Sequence, residues 1–164
     1  MAGEGRVALV TGAQQGIGHA TALALARAGL DVALNYLDNR AAAEKAAAAI
    51  RALGRRALVV SGDVSHAADV DAMLGAVARG LGVPDVLVNN AGIQQTVSIA
   101  DATRQVWDDI LAVNLSGAFH TMRRALPGMG QRGYGRVINI ASVHGLVASV
   151  NKAPYVAAKF GLIG

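Results

Sequence analysis

Short apolar runs alternate along the chain with longer, Ala-rich stretches of helical spacing. The runs Arg6–Thr11, Asp31–Tyr36, Arg55–Val60, Asp85–Asn89 and Arg136–Ala141 predict five strands. Helices are predicted over Gly16–Gly29, Asn39–Leu53, Ser65 or His66 to Gly80, and Ala102–Leu126. A last helix starts near Lys152 and is still running at Gly164. Asn39 suits an N-cap, Gly54 suits a helix stop, and Pro127-Gly128 closes the long helix. Strands that are apolar throughout are expected to be buried on both faces, as in a parallel sheet. Their alternation with helices predicts right-handed βαβ units in a doubly wound parallel α/β sheet, one domain over residues 1–164. No fixed-period repeat, low-complexity linker or internal boundary interrupts the pattern.

Composition narrows the function classes. The 164 residues are 53% hydrophobic and 16% charged, which fits one packed domain and argues against disorder. The net charge of +4 comes from scattered bases, and only 4% of residues are aromatic, so a nucleic-acid surface is not expected. Cys is absent, which excludes disulfides, thiolate nucleophiles and Cys-ligated zinc; no metal centre is expected. The start Met1–Arg6 lacks a signal-peptide pattern, and no run of about 18 apolar residues reads as a membrane span. A cytoplasmic protein is the expectation.

Three clusters carry chemistry. Thr11-Gly12-Ala13-Gln14-Gln15-Gly16-Ile17-Gly18 lies between the first strand and first helix. Such glycines permit a tight turn, and the helix start offers free N–H groups and a positive dipole end to a pyrophosphate. The spacing is G-x-x-x-G-x-G rather than G-x-G-x-x-G, so a plain Gly-rich turn is the alternative. Asn89-Asn90-Ala91-Gly92 closes the fourth strand, at the carboxyl rim where open parallel sheets bind ligands; a polar strand end is the alternative. Ser142 follows the fifth strand, and Tyr155 and Lys159 share one face of the last helix at i and i+4. A phenol titrates near 10, too high for neutral acid–base work. An ammonium ~5 Å away at an effective dielectric of ~20 favours the phenolate by roughly 3 kcal/mol.

Together these motifs resemble the short-chain dehydrogenase/reductase family over the whole chain. The resemblance rests on Thr11-Gly12-x-x-x-Gly16-Ile17-Gly18, Asp63-Val64, Asn89-Asn90-Ala91-Gly92, Asn114, Ser142 and Tyr155-x-x-x-Lys159. The step of 13 residues from Ser142 to Tyr155 matches too. It implies a Rossmann-type sheet and NAD(P)-dependent interconversion of a secondary alcohol and a ketone. By that resemblance Tyr155 is the acid/base, Ser142 binds the reacting oxygen, and Lys159 tunes Tyr155 and meets the nicotinamide ribose. Asn114 is implied to hold a water leading from Lys159. Cofactor contacts are implied for Gly12, Gln15, Gly16, Ile17, Gly18, Asp63, Val64, Asn90, Ala91, Gly92, Tyr155 and Lys159.

Individual residues keep other readings. Asp63 either receives the adenine amino group or caps a helix, and Asn114 either serves the relay or bridges helix backbone to a strand. His144, His19, Gln94 and Gln95 either meet ligand or face water, and Trp107 is expected to pack. NAD against NADP stays undecided: relatives that prefer NAD carry a carboxylate where this chain has Tyr36, and those that prefer NADP carry a base where it has Leu37 or Gln15. Nearby Asp38 and Arg40 point in opposite directions.

The resemblance implies 3-oxoacyl-thioester reduction first, with Arg123, Arg124 and Arg132 either meeting an acidic carrier protein or simply solvated. Sugar or polyol dehydrogenation is the rival within the family. A non-catalytic dinucleotide-binding module is the rival outside it, although such a module needs none of Ser142, Tyr155 and Lys159. Homo-oligomerisation into dimers or tetramers is implied as well. Relatives continue beyond the Tyr155 helix with a sixth strand, a substrate-covering segment, another helix and a seventh strand. The expectation is therefore a sheet lacking its C-terminal strands, with Arg136–Ala141 as an apolar edge. The 164-residue chain alone is then expected to be poorly soluble and nearly inactive.

Overall fold

The computed structural model describes residues 5–164. Five parallel strands, β1 (Val7–Val10), β2 (Asp31–Tyr36), β3 (Ala57–Ser61), β4 (Val86–Asn89) and β5 (Arg136–Asn139), stand in the order β3-β2-β1-β4-β5. Successive connections run outward from β1 to β3 and then return to the other side through β4. The strand order therefore reverses between β1 and β4, and a crevice opens there at the carboxyl rim. The register places Ala8 beside both Val32 and Val86.

Alternation along the central strands divides the core into two faces. Ala8, Val10, Val32, Leu34, Val86 and Val88 pack against α1 (Gly16–Arg27) and α2 (Arg40–Ala52) through Ala22, Ala26, Ala46, Ala47 and Ile50. Val7, Leu9, Ala33 and Leu87 face α3 (Ala67–Gly80) through Val70, Met73, Leu74 and Val77, and meet Ala125 and Met129 from later in the chain. Small Ala side chains on both partners let the first layer approach closely. Asn39 caps α2 as its sequence suggests, its side chain accepting from Ala42 N at 3.0 Å.

Three expectations need correction. Burial on both faces holds for β1, β2 and β4, but β3, at one edge of the sheet, is mostly half-buried, and β5, at the edge position expected for Arg136–Ala141, is mostly exposed. Strand three starts at Ala57 rather than Arg55, because the Arg55 and Arg56 side chains turn back to the Asp31 carboxylate at 2.9 and 2.7 Å. The long helix is not one regular helix closed by Pro127-Gly128. It comprises α4 (Arg104–Leu111), a π turn (Ala112–Ser116) and α5 (Gly117–Gln131), which continues through Pro127.

Proline removes one helical hydrogen bond and normally breaks a helix. Here the turn beyond it is held by tertiary contacts. Met129 is buried in the core, and Gly128 lies against Val83. Just past the helix, Arg132 donates to Val83 O and Pro84 O at 2.8 and 2.9 Å. After β5 a 3-10 turn (Val143–Gly145) leads to α6 (Ala153–Ile163). Among the described residues, no helix is long and apolar enough to cross a membrane.

Candidate functional site

The Gly-rich turn between β1 and α1 folds at Gly12 and Gly16, whose φ angles of 60° and 57° lie in the left-handed region that favours glycine. It is clasped from both sides. Asn90 Nδ2 donates to Thr11 O and Gly12 O at 2.9 and 3.1 Å, while Thr11 Oγ1 accepts from Asn90 N and Ala91 N, each at 3.0 Å. Opposite them, Asn35 Oδ1 accepts from Gly12 N at 3.1 Å. Gly18 lies beneath the turn, where a Cβ would stand 2.5 Å from both Gly12 O and Asn90 Nδ2. Gln15, Gly16 and Ile17 stay exposed where α1 begins, so the positive end of that helix opens to solvent.

A cleft of about 580 Å³ follows from this turn across the carboxyl rim. Gly12, Gln15, Gly16, Ile17, Asp63, Val64, Asn90, Ala91 and Gly92 all line it, and so do Gln14, Asn35, Leu37 and Asp38. Gly18 is not among the lining residues; it packs below them. Asp63 does not cap α3, which begins after His66. Its Oδ1 closes a turn by accepting from Ser65 N and Oγ at 2.8 and 2.6 Å. Burial opposes ionisation of Asp63, but these bonds and His66 outweigh it and hold the carboxyl below its usual range.

The cleft shares Ile17, Asn90, Gly92 and Ile93 with a recess of about 200 Å³, whose other walls include Gln94, Asn114, Tyr155 and Lys159. Lys159 is only 5% exposed, and its Nζ lies 5.6 Å from the centre of the Tyr155 ring. Burial lowers the Lys159 pKa from its ordinary value. Asn114 sits on the π turn and donates through Nδ2 to Ile93 O and Ile110 O at 2.8 and 2.9 Å. It thus bridges a helix to the loop after β4, not to a strand. Its Oδ1 is buried without a protein partner. Asn114 and Lys159 also border a void of about 10 Å³, close to the size of one water.

Ser142 lies one residue beyond Ala141, which lines the recess; Ser142 itself does not line it. Its Oγ accepts from His144 N at 3.2 Å and starts the 3-10 turn. That turn seats on α6 at Gly145, where a Cβ would meet Ile163 Cδ1 and Lys159 O. His144 stands edge-on to the Tyr155 ring, with centroids 6.2 Å apart. The structure therefore brings Asn114, Tyr155 and Lys159 to one recess, with Ser142 and His144 at its border. His19 and Gln95 line neither space, and Trp107 is half-buried.

The short chain dehydrogenase profile matches residues 6–164. The chain belongs to the short chain dehydrogenase family. It is 48% identical over 160 residues to a D-beta-hydroxybutyrate dehydrogenase of Cupriavidus necator, covering 98% of this chain and 62% of that protein. It is 41% identical over 157 residues to the 3-oxoacyl-[acyl-carrier-protein] reductase FabG of Staphylococcus aureus, covering 96% of this chain and 64% of that protein. A putative short-chain alcohol dehydrogenase from Sinorhizobium meliloti superposes with a TM-score of 0.94 at 38% identity, over 98% of this chain and 64% of that structure. The chain thus spans a little under two thirds of the length of these relatives.

Within this short chain dehydrogenase fold, sequence reasoning missed Asn35. The signal available was a polar residue directly after the apolar run Val32–Leu34 of β2.

Proposed function

We propose that the protein is a nicotinamide-dinucleotide oxidoreductase interconverting a secondary alcohol and a ketone. The observation that carries this reading is the continuity of the cleft at the Gly-rich turn with the recess holding Tyr155 and Lys159. The dinucleotide supplies or accepts the hydride when bound. The free N–H groups at the start of α1 would hold its pyrophosphate. Tyr155 gives a proton to the carbonyl oxygen in reduction and takes it back in oxidation, with Ser142 steadying that oxygen. Lys159 sets its ammonium 5.6 Å from the centre of the Tyr155 ring. Asn114 Oδ1, beside the water-sized void, offers the acceptor through which a proton reaches Lys159.

We further read the cofactor as NAD. Leu37 and Asp38 line the cleft while Tyr36 does not, and Arg40 turns to Glu44 at 3.8 Å. Asp38 and Asp63 line the cleft, and among the described residues no Lys, Arg or His does. Two carboxylates without a base repel the extra phosphate of NADP.

For the substrate we favour a short 3-hydroxy acid and its 3-oxo partner. The compounds in the names of two relatives, D-beta-hydroxybutyrate and a 3-oxoacyl-[acyl-carrier-protein], both carry an oxygen on the third carbon of an acyl chain. Among the described residues the recess is lined by Gln94 and by no carboxylate, with His144 at its border and a half-buried Lys152 one turn before Tyr155. These groups suit an anionic end. A carrier-protein thioester is less favoured, since Arg124 pairs with Asp71 and Arg132 with Asp85.

The test is to supply the full-length purified protein with 3-hydroxybutyrate or a 3-oxoacyl thioester and each dinucleotide, following absorbance of the reduced nicotinamide. NAD-linked oxidation of the free acid is expected. Dinucleotide binding without hydride transfer over a broad alcohol and carbonyl panel would overturn the catalytic reading.

A further inference from the structure

Asn35 is 2% exposed, yet it lines the dinucleotide cleft. One side-chain amide there joins three pieces of backbone. Its Oδ1 accepts from Gly12 N at 3.1 Å, and its Nδ2 donates to Gly62 O at 2.9 Å and Tyr36 O at 3.3 Å. The Asn35 main-chain oxygen accepts from Ala13 N at 2.8 Å. The amide orientation is fixed by its partners, since an N–H faces the oxygen and two carbonyls face the nitrogen. Gly12 opens the Gly-rich turn, and Gly62 precedes Asp63 on the far wall of the cleft. The two walls are therefore tied to each other through one residue of β2.

The same bonds change which donors remain for a ligand. Gly12 N and Ala13 N are both taken by Asn35, so a pyrophosphate is left the N–H groups nearer α1. A Gly12 N–H released from Asn35 would be an unpartnered donor in a part-buried position, and the turn would be free to move relative to Asp63.

We propose that Asn35 is a positioning residue that sets the width of the adenosine half of the cleft by holding the Gly12 turn and the Gly62–Asp63 segment at a fixed separation. This rests on the dinucleotide reading given above. Asparagine is required because the site needs one acceptor and two donors. Aspartate keeps the acceptor but sets an oxygen against Gly62 O and Tyr36 O. Serine keeps the acceptor and one donor.

The test compares Asn35→Ala, Asn35→Asp and Asn35→Ser in the purified protein, with circular dichroism to establish folding. Calorimetry measures binding of NAD, ADP-ribose and nicotinamide mononucleotide, and kinetics separate cofactor KM from kcat. The expected result for Ala and Asp is about tenfold weaker NAD and ADP-ribose, or about 1.4 kcal/mol. Nicotinamide mononucleotide binding, kcat at saturating cofactor and substrate KM stay within about twofold. Ser is expected to fall between Ala and the unaltered protein, and it carries the test if Ala and Asp do not fold. Unchanged ADP-ribose binding in a folded variant overturns the inference, as does a fall in kcat alone or equal weakening of both half-molecules. Failure of the unaltered protein to bind NAD or NADP overturns the dinucleotide reading itself, and the Asn35 role with it.

Discussion

Lys159 donates from Nζ to the main-chain oxygen of Ile140 at 2.8 Å, anchoring α6 to the segment that leaves β5. This bond holds a buried ammonium whose pKa burial lowers from 10.5. Between the lowered value and 10.5 the unfolded chain binds more protons than the folded one. The folded state thus carries a cost at neutral pH that is relieved as pH rises toward the unfolded value. Lys159→Met is expected to abolish turnover while leaving the thermal midpoint at neutral pH unchanged or higher. Melting curves over a rising pH series should show the unaltered protein gaining on this variant. A variant that melts markedly lower at neutral pH would contradict the argument.

Tyr155→Phe removes only the hydroxyl and keeps the ring edge-on to His144. Turnover is expected to fall by about 10²–10⁴, the range for losing a general acid. Dinucleotide affinity, read by fluorescence titration, should change less than about threefold, well short of the 1.4 kcal/mol that a tenfold change represents.

Gly92→Ala would bring a Cβ to 2.6 Å from Asn114 Oδ1, closer than such contacts allow. Asn114 is fixed by two hydrogen bonds on the π turn, so the loop after β4 must shift instead. Overpacking of this kind costs about 1–3 kcal/mol. A thermal midpoint lowered accordingly, with kcat reduced at least about tenfold, is expected. A variant with native kcat would show that the tight approach is unimportant.

Leu37→Arg combined with Asp38→Ser replaces an exposed apolar side chain and a carboxylate at the cleft wall with a base and a neutral group. The ratio of kcat/KM for NADP over NAD is expected to rise at least about tenfold, about 1.4 kcal/mol of differential stabilisation. If the unaltered protein already prefers NADP, the charge argument for Asp38 fails.

Asp31 is the buried anchor at the other end of β2, paired with Arg55 and Arg56 at 2.9 and 2.7 Å. Burial opposes its ionisation, but the hydrogen bonds and charges of the two arginines outweigh that and lower its pKa below 3.8. Its stabilisation is complete above 3.8 and is lost as pH falls through the lowered folded value. Asp31→Asn is expected to cost about 2 kcal/mol at neutral pH, the scale of charge-assisted hydrogen bonds. Urea unfolding should show the difference narrowing in acid.

The sequence alone determined the alternation of five strands with helices, because short, wholly apolar runs and longer stretches of helical spacing are local features of the chain. It also marked Gly12, Gly16, Asn90, Tyr155 and Lys159, since each stands at a strand end or on a helix face whose position follows from that alternation. The edge position of β5 followed from the family resemblance, but that of β3 was not legible, because neighbours across a sheet are set by strand order and not by the composition of one run. The passage of α5 through Pro127 was decided by Met129, Gly128 and Arg132 meeting core and loop partners far away in sequence. Asn35 drew no reading from the sequence, because only the fold brought Gly12 and Gly62 to the two ends of its side chain. Contacts between residues distant along the chain cost loop-closure entropy and are repaid by burial, so they are properties of the assembled core and not of any segment.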